Sequence, residues 1–211
     1  MAENFQLKLD NELARITAKG LRPRLLLHVC CAPCSSYVLE YLSRYFDITA
    51  LFYNPNISPK SEYDYRAQEL CRLAVEMPLS SPIACRIEEY DPAAFLAVSK
   101  GLEQEPEGGE RCTACYRLRL TQTAQIAAKD GYDYFTTTLS ISPLKDAVRL
   151  NTIGGELAEE YGVPYLYSDF KKREGYKRSI QLSAEYSLYR QDYCGCAFSK
   201  AEAEKRKREK N

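Results

Sequence analysis

The spacing of apolar and polar positions changes period along the chain, and the changes mark out alternating strands and helices. Leu25-Leu26-Leu27-His28-Val29 is a continuous run rather than an alternating one, the pattern of a strand buried on both faces of a parallel sheet. Ile48 to Tyr53 (ITALFY), Pro82 to Ile87 (PIACRI), Tyr134 to Thr138 (YFTTT) and Pro164 to Tyr167 carry four further strand signals. Helical periodicity lies between them. The first such stretch is capped by Ser35-Ser36 and continues through Tyr37, Leu39 and Leu42. Others run from Glu62 to Glu76, from Asp91-Pro92 onward, from Cys112 to Lys129 with Gly131 as the stop, and from Pro143 to Tyr161. Strand alternating with helix at this spacing predicts an α/β fold with a doubly wound parallel sheet flanked by helices. Such a fold places ligands at the carboxyl ends of its strands.

One domain spans residues 1–211, with no internal repeat. Residues 1–20 are polar, helix-prone and free of candidate chemistry, and residues 25–168 form the α/β core. Residues 169–198 add a basic segment (KKREGYKRS), one helix and the turn LYRQDYCGC, giving the chain a helical carboxyl-terminal part. Residues 199–211 form a charged, weakly helical, frayed tail. Glu103 to Glu110 is acidic and rich in Gly and Pro, hence a surface loop. Lys and Arg total 29, as do Asp and Glu, so no global field points to nucleic acid or membrane. No apolar run approaches the roughly 20 residues of a membrane span, and no signal peptide is visible, so a cytoplasmic protein is expected.

Nine cysteines change the picture, because in a reducing compartment grouped thiols indicate metal or redox chemistry before disulfides. Seven fall in three groups: Cys30, Cys31 and Cys34; Cys112 and Cys115; Cys194 and Cys196. Cys112 and Cys115 sit at i and i+3 near a helix start, where the dipole favours thiolate. Cys30 and Cys31 would point to opposite faces of a strand, so sharing a centre requires the backbone to leave strand geometry there. Gly195 permits the turn that brings Cys194 and Cys196 together. Seven ligands overfill either a [4Fe–4S] cluster or a structural zinc, each of which takes four. Two centres are therefore expected: a cluster on Cys30, Cys31, Cys112 and Cys115, and a second ion with an open position on Cys34, Cys194 and Cys196. A plain structural zinc on one CxxC and one CxC pair is the alternative. Cys71, Cys85 and the lone His28 are expected in the core.

At these residues the sequence resembles the QueH-type epoxyqueuosine reductases, which complete the queuosine base of bacterial tRNA. The resemblance is carried by HVCCAPCS from His28, YNPNISP from Tyr53, EYDYR from Glu62, RCTACYRLRL from Arg111, FTTTLSISPLKD from Phe135 and GYKRSIQLSAEYSLYRQDYCGC from Gly175. It implies a HUP-like fold, related to adenine nucleotide α-hydrolases, with the same two ligand sets and iron as the adjacent metal. Some family members carry aspartate at the Cys34 position. The implied reaction removes an epoxide oxygen as water, with two electrons from an external donor and two protons, leaving an alkene. Asp192 and Tyr193 are candidate proton donors, adjoining Cys194 and Cys196 as catalytic ligands with Cys34. Lys171, Lys172, Arg173, Lys177, Arg178 and Arg190 are candidate contacts to tRNA bearing epoxyqueuosine at the anticodon wobble position, with Arg117 and Arg119 extending the path. CCAPCSS lacks a glycine-rich phosphate loop, so no ATP use is expected. Rival readings are a cluster-dependent tRNA sulfur transferase and a zinc-stabilised RNA-binding module.

Overall fold

The computed structural model describes residues 3–209. Its eight helices among the described residues are α1 (Phe5–Ala18), α2 (Ala32–Leu42), α3 (Lys60–Glu76), α4 (Pro92–Ser99), α5 (Glu110–Lys129), α6 (Ala147–Tyr161), α7 (Gly175–Glu185) and α8 (Ala197–Arg208). The strands β1 (Arg24–His28), β2 (Asp47–Phe52), β3 (Ala84–Ile87) and β4 (Tyr134–Thr137) form one parallel sheet in the order β3-β2-β1-β4. In β1, Leu26 stands opposite Thr49 on one side and Phe135 on the other. The unbroken leucine run serves two cores. Leu25 and Leu27 join Val38, Leu39 and Leu70 of α2 and α3, whereas Leu26 joins Leu120 and Ile153 of α5 and α6. All three leucines are fully buried, and each contributes about 1.5–3 kcal/mol. None of the described helices is long and apolar enough to cross a membrane.

The α/β expectation holds, with corrections that bear on the site. The fifth strand, Pro164 to Tyr167, shrinks to a single bridge between Phe135 and Tyr165. The Leu166 carbonyl, which a longer ladder would use, instead accepts from Thr136 Oγ1 at 2.8 Å. Ser35 and Ser36 do not cap α2. Their hydroxyls donate back to the carbonyls of Cys31 and Pro33, at 2.8 and 3.0 Å. The helix starts earlier, with extended Cys31 at the N-cap and Pro33 in the first turn, where a missing N–H costs nothing. The helix expected from Pro143 begins at Ala147, because Asp146 caps it by accepting from the Arg149 N–H. A 3-10 turn over Thr138–Ile141 intervenes and takes Thr138 out of β4.

Both termini are more integrated than their polarity suggests. Leu9, Leu13 and Ile16 of α1 pack into the core beneath β1. The tail is not a frayed appendage through its described length. In α8, Glu202 meets Arg111, Arg206 meets Glu107 and Lys207 meets Asp192. Only the last two residues of the expected tail lie outside the described residues.

Candidate metal centre

β1 ends at His28, whose ring fixes the sheet edge from which the thiols emerge. His28 Nδ1 lies 2.8 Å from Thr137 Oγ1 and Nε2 lies 3.1 Å from the Tyr53 carbonyl, tying three strand ends together. Burial, reinforced by the positive Arg119, pushes its pKa down to about 3, so it is a neutral core histidine as expected. Beyond it the chain leaves strand geometry, and the Sγ atoms of Cys30, Cys31 and Cys34 all lie within 4.8 Å of one another, a group able to hold a metal ion. Hydrogen bonds from Cys31 and Cys34 hold the Cys30 thiol well below its ordinary pKa. The same bonds, with burial, push Cys31 and Cys34 up. Thiols bind a metal as thiolates, so a cation bound here would favour deprotonation of all three.

The CGC turn is clamped against this group. Gly195 has φ +118, its carbonyl accepts from the Ser58 N–H at 3.0 Å, and the Cys194 carbonyl accepts from Arg66 Nη1 at 3.3 Å. Cys194 thereby lines a cavity of about 330 Å³ together with Cys30, Cys31 and Cys34. It also lines an adjoining recess with Cys112, Cys115 and Cys196. The seven grouped cysteines thus border two adjoining spaces that share Cys194, Glu107 and Lys145, with Cys30, Cys31 and Cys34 on one and Cys112, Cys115 and Cys196 on the other, a grouping that cuts across the expected ligand sets. The helix dipole does not dominate at Cys115, where burial pushes the thiol up to about 12. Burial also raises Cys196, which packs with Cys115 and Phe95. Cys71 and Cys85 stay outside the two spaces, on α3 and β3.

Buried cations surround the sulfurs: Arg111, paired with Glu202, lines the recess, and three more, Arg66, Arg119 and Lys145, lie beside the thiols, of which the sequence singles out only Arg119, as an RNA contact. Arg119 is 1 % exposed, so it cannot lie on an RNA path as expected. Burial opposes its charge, but Cys115, Cys194 and Cys30 together hold its pKa raised. Lys145 lines both spaces beside Glu107, at 3.3 Å, and is likewise held charged by Cys194 against its burial. Arg66 pairs with Glu62 at 2.7 Å, and Cys31 supports its charge despite burial. Cations retained inside a protein demand anions, and a metal–thiolate assembly with excess thiolate supplies them. The donor set and its surroundings therefore fit a thiolate-bound metal group. Arg66, Arg119 and Lys145 are recognisable in sequence only as charges; burial, which gives them meaning, is a tertiary property.

The other predicted residues separate by geometry. Tyr193 borders the larger cavity, its ring 5.4 Å from the Arg66 guanidinium. Asp192 also borders it, but its carboxylate is bonded to Lys207 at 2.6 Å, which lowers its pKa. Arg190 faces the cavity, donates to Ser183 Oγ at 3.0 Å and lies 6.0 Å from the Tyr176 ring centre. Arg173 is paired with Asp10, Lys177 with Glu174 and Arg178 with Glu40. Lys171 bonds the Ser140 carbonyl and Asp169, Arg117 bonds Glu156, and Lys172 is exposed.

A parallel α/β sheet whose strand ends carry seven thiols and three buried cations defines a protein built to hold metal at a substrate-sized cavity. The sequence model for the family described as "Epoxyqueuosine reductase QueH" matches residues 25–202. A relative of that name from Staphylococcus epidermidis is 45% identical over 205 residues, covering 93% of this chain and 86% of the relative. One from Streptococcus pyogenes is 44% identical, covering 91% and 76%, and one from Thermotoga maritima is 37% identical, covering 83% and 89%. The chain belongs to the epoxyqueuosine reductase QueH family, a family of oxidoreductases.

Proposed function

We propose that this chain reduces epoxyqueuosine in tRNA to queuosine, releasing the epoxide oxygen as water and leaving an alkene. The observation that carries this is the convergence of seven thiols and three buried cations on adjoining spaces, in a member of this family. When bound, a [4Fe–4S] cluster on Cys30, Cys31, Cys112 and Cys115 supplies single electrons from an external donor, and an iron ion on Cys34, Cys194 and Cys196 supplies Lewis acidity.

The chain's own groups supply binding and protons. A cavity of about 330 Å³ suits one extruded nucleobase, since small-molecule sites begin at roughly 300 Å³. Burial raises the Tyr193 pKa, so the phenol stays protonated and can deliver a proton to the departing oxygen. Lys145, charged and lining the same cavity, delivers the second. Asp192, held deprotonated by Lys207, positions α8 instead of acting as an acid. Arg190 beside Tyr176 suits the phosphate next to the extruded base. Lys172 contacts the RNA backbone directly. Lys171, Arg173, Lys177 and Arg178 join it by exchanging carboxylate partners for phosphate, an exchange that is cheapest at Lys177, whose exposed pair with Glu174 is worth only about 0–1 kcal/mol.

Anaerobic reconstitution followed by assay on tRNA carrying epoxyqueuosine tests the proposal, with queuosine tRNA as the product measured. No conversion by cluster-loaded, reduced protein would overturn it. Zinc without iron or sulfide in anaerobically purified protein would replace the cluster assignment with a structural metal.

A further inference from the structure

Five polar side-chain atoms on residues lining the recess between Cys112, Cys115, Cys194 and Cys196 have no hydrogen-bond partner within the described residues: Asn56 Nδ2, Asn56 Oδ1, Arg111 Nε, Tyr116 Oη and Arg119 Nη2. Asn56 and Tyr116 are each 2 % exposed and Arg119 is 1 % exposed, so bulk solvent does not reach them. A buried group left in that state is costly, and folds retain few of them; more than half of those among the described residues belong to side chains lining this one recess.

Their positions follow from local sequence. Cys112, Cys115, Tyr116 and Arg119 stand at i, i+3, i+4 and i+7 of α5, so two thiols and two donors share one helix face. Arg119 is held in place by its other nitrogens. Nη1 donates to Asn54 Oδ1 at 3.1 Å and Nε to the Cys115 carbonyl at 3.4 Å, while Asn54 Nδ2 donates to the Val29 carbonyl at 2.9 Å. That leaves Nη2 free. Pro55 separates Asn54, which orients Arg119, from Asn56, whose amide lines the recess itself.

The recess is lined by the thiols of Cys112, Cys115, Cys194 and Cys196 and by the Glu107 carboxylate, which Lys145 already engages at 3.3 Å. A thiol is a weak acceptor, whereas a metal-bound thiolate or a cluster sulfide carries charge and takes N–H and O–H bonds well. We propose that Asn56, Tyr116 and Arg119 are positioning residues that donate hydrogen bonds to the sulfurs on the Cys112 and Cys115 side of the cluster, the part of its ligand set that borders this recess, and hold its reduction potential up. Such bonds withdraw charge from sulfur and favour the reduced form, which carries one more electron. The inference rests on the cluster proposed above and goes beyond it in saying which residues tune it.

The test compares wild type, Tyr116→Phe, Asn56→Ala and Asn56→Ser after anaerobic reconstitution. Iron and sulfide content, the reduction potential followed by electron paramagnetic resonance, and resonance Raman spectra in H2O and D2O are measured for each. Tyr116→Phe removes one oxygen and keeps the ring, so cluster content should stay full. At a potential where the wild-type cluster is half reduced, the reduced-to-oxidised ratio should fall several-fold; a tenfold fall corresponds to 59 mV for one electron. The deuterium shift of the iron–sulfur bands should shrink. Asn56→Ser, which keeps a donor, should lie nearer wild type than Asn56→Ala. Full cluster content with unchanged potential and unchanged deuterium shift in both Tyr116→Phe and Asn56→Ala overturns this inference alone. Wild-type protein that takes up neither iron nor sulfide overturns it together with the cluster reading.

Discussion

Gly195→Ala isolates the geometry of the CGC turn. Its φ of +118 lies in a region essentially restricted to glycine. A Cβ there would stand 3.0 Å from Ile57 Cγ1 and 3.1 Å from Arg66 Nη1. Neither neighbour yields easily: Ile57 is buried, and Arg66 is held by Glu62 at 2.7 Å and by the Cys194 carbonyl at 3.3 Å. Backbone strain of on the order of 1–3 kcal/mol and crowding of about 1 kcal/mol give a total of about 2–4 kcal/mol. Borne by the whole fold, that lowers the melting temperature by about 4–16 °C for a chain of this size. If the turn instead swings outward to relieve the strain, the melting temperature holds, and Cys194 and Cys196 leave their places. Calorimetry paired with metal analysis reads both routes. The expected result is either a clear fall in Tm or loss of the second metal and of turnover with cluster absorbance retained. Wild-type Tm together with wild-type metal content and turnover would refute the clamped-turn geometry.

Cys34→Ala and Cys196→Ala should each keep the cluster's absorbance and lose turnover; loss of the cluster itself in either variant contradicts the division of ligands. Gly154→Ala sets a helix-propensity gain of about 1 kcal/mol against overpacking, since its Cβ would meet the buried Tyr165 ring at 2.4 Å. The urea midpoint should fall, and an unchanged midpoint would mean that the ring moves aside. Arg190→Ala should weaken tRNA binding more than Lys177→Ala, because Arg190 faces the cavity while Lys177 is paired with Glu174 at the surface. Binding measured at two salt concentrations should weaken as salt rises, and indifference to salt would exclude the phosphate contacts. Arg119→Met removes a fully buried cation from among the thiols and leaves Asn54 Oδ1 without its donor, so iron retained per chain after gel filtration should drop; undiminished iron would show that Arg119 is not needed for charge balance.

What was legible in sequence was whatever one segment decides by itself. The Leu25 to Val29 run announced a strand with two buried faces because strand parity sends alternate side chains into different cores. Cys30, Cys31 and Cys34 announced a ligand group because their short spacing keeps them together whatever the remaining chain does. Features decided by competition were misjudged. Asp146 outbid Pro143 as the helix start, and Thr136 took the carbonyl that a fifth strand required. Arg119 looked like a surface cation beside Arg117, yet only two residues along α5 separate an exposed side from a buried one. α8 looked like a solvated tail because its pairs with Arg111, Glu107 and Asp192 join residues far apart in sequence.

The seven thiols also differ in when the ribosome makes them. Cys30, Cys31 and Cys34 emerge first, Cys112 and Cys115 next, and Cys194 and Cys196 last. Chains begin folding from the amino terminus during synthesis, but the cavity lacks its Cys194 wall until Arg66 and Ser58 have captured the CGC turn. The site is therefore complete only once its last-made segment has been captured. A chain truncated before Cys194 retains five of the seven grouped thiols and forfeits the enclosure that would keep a metal there.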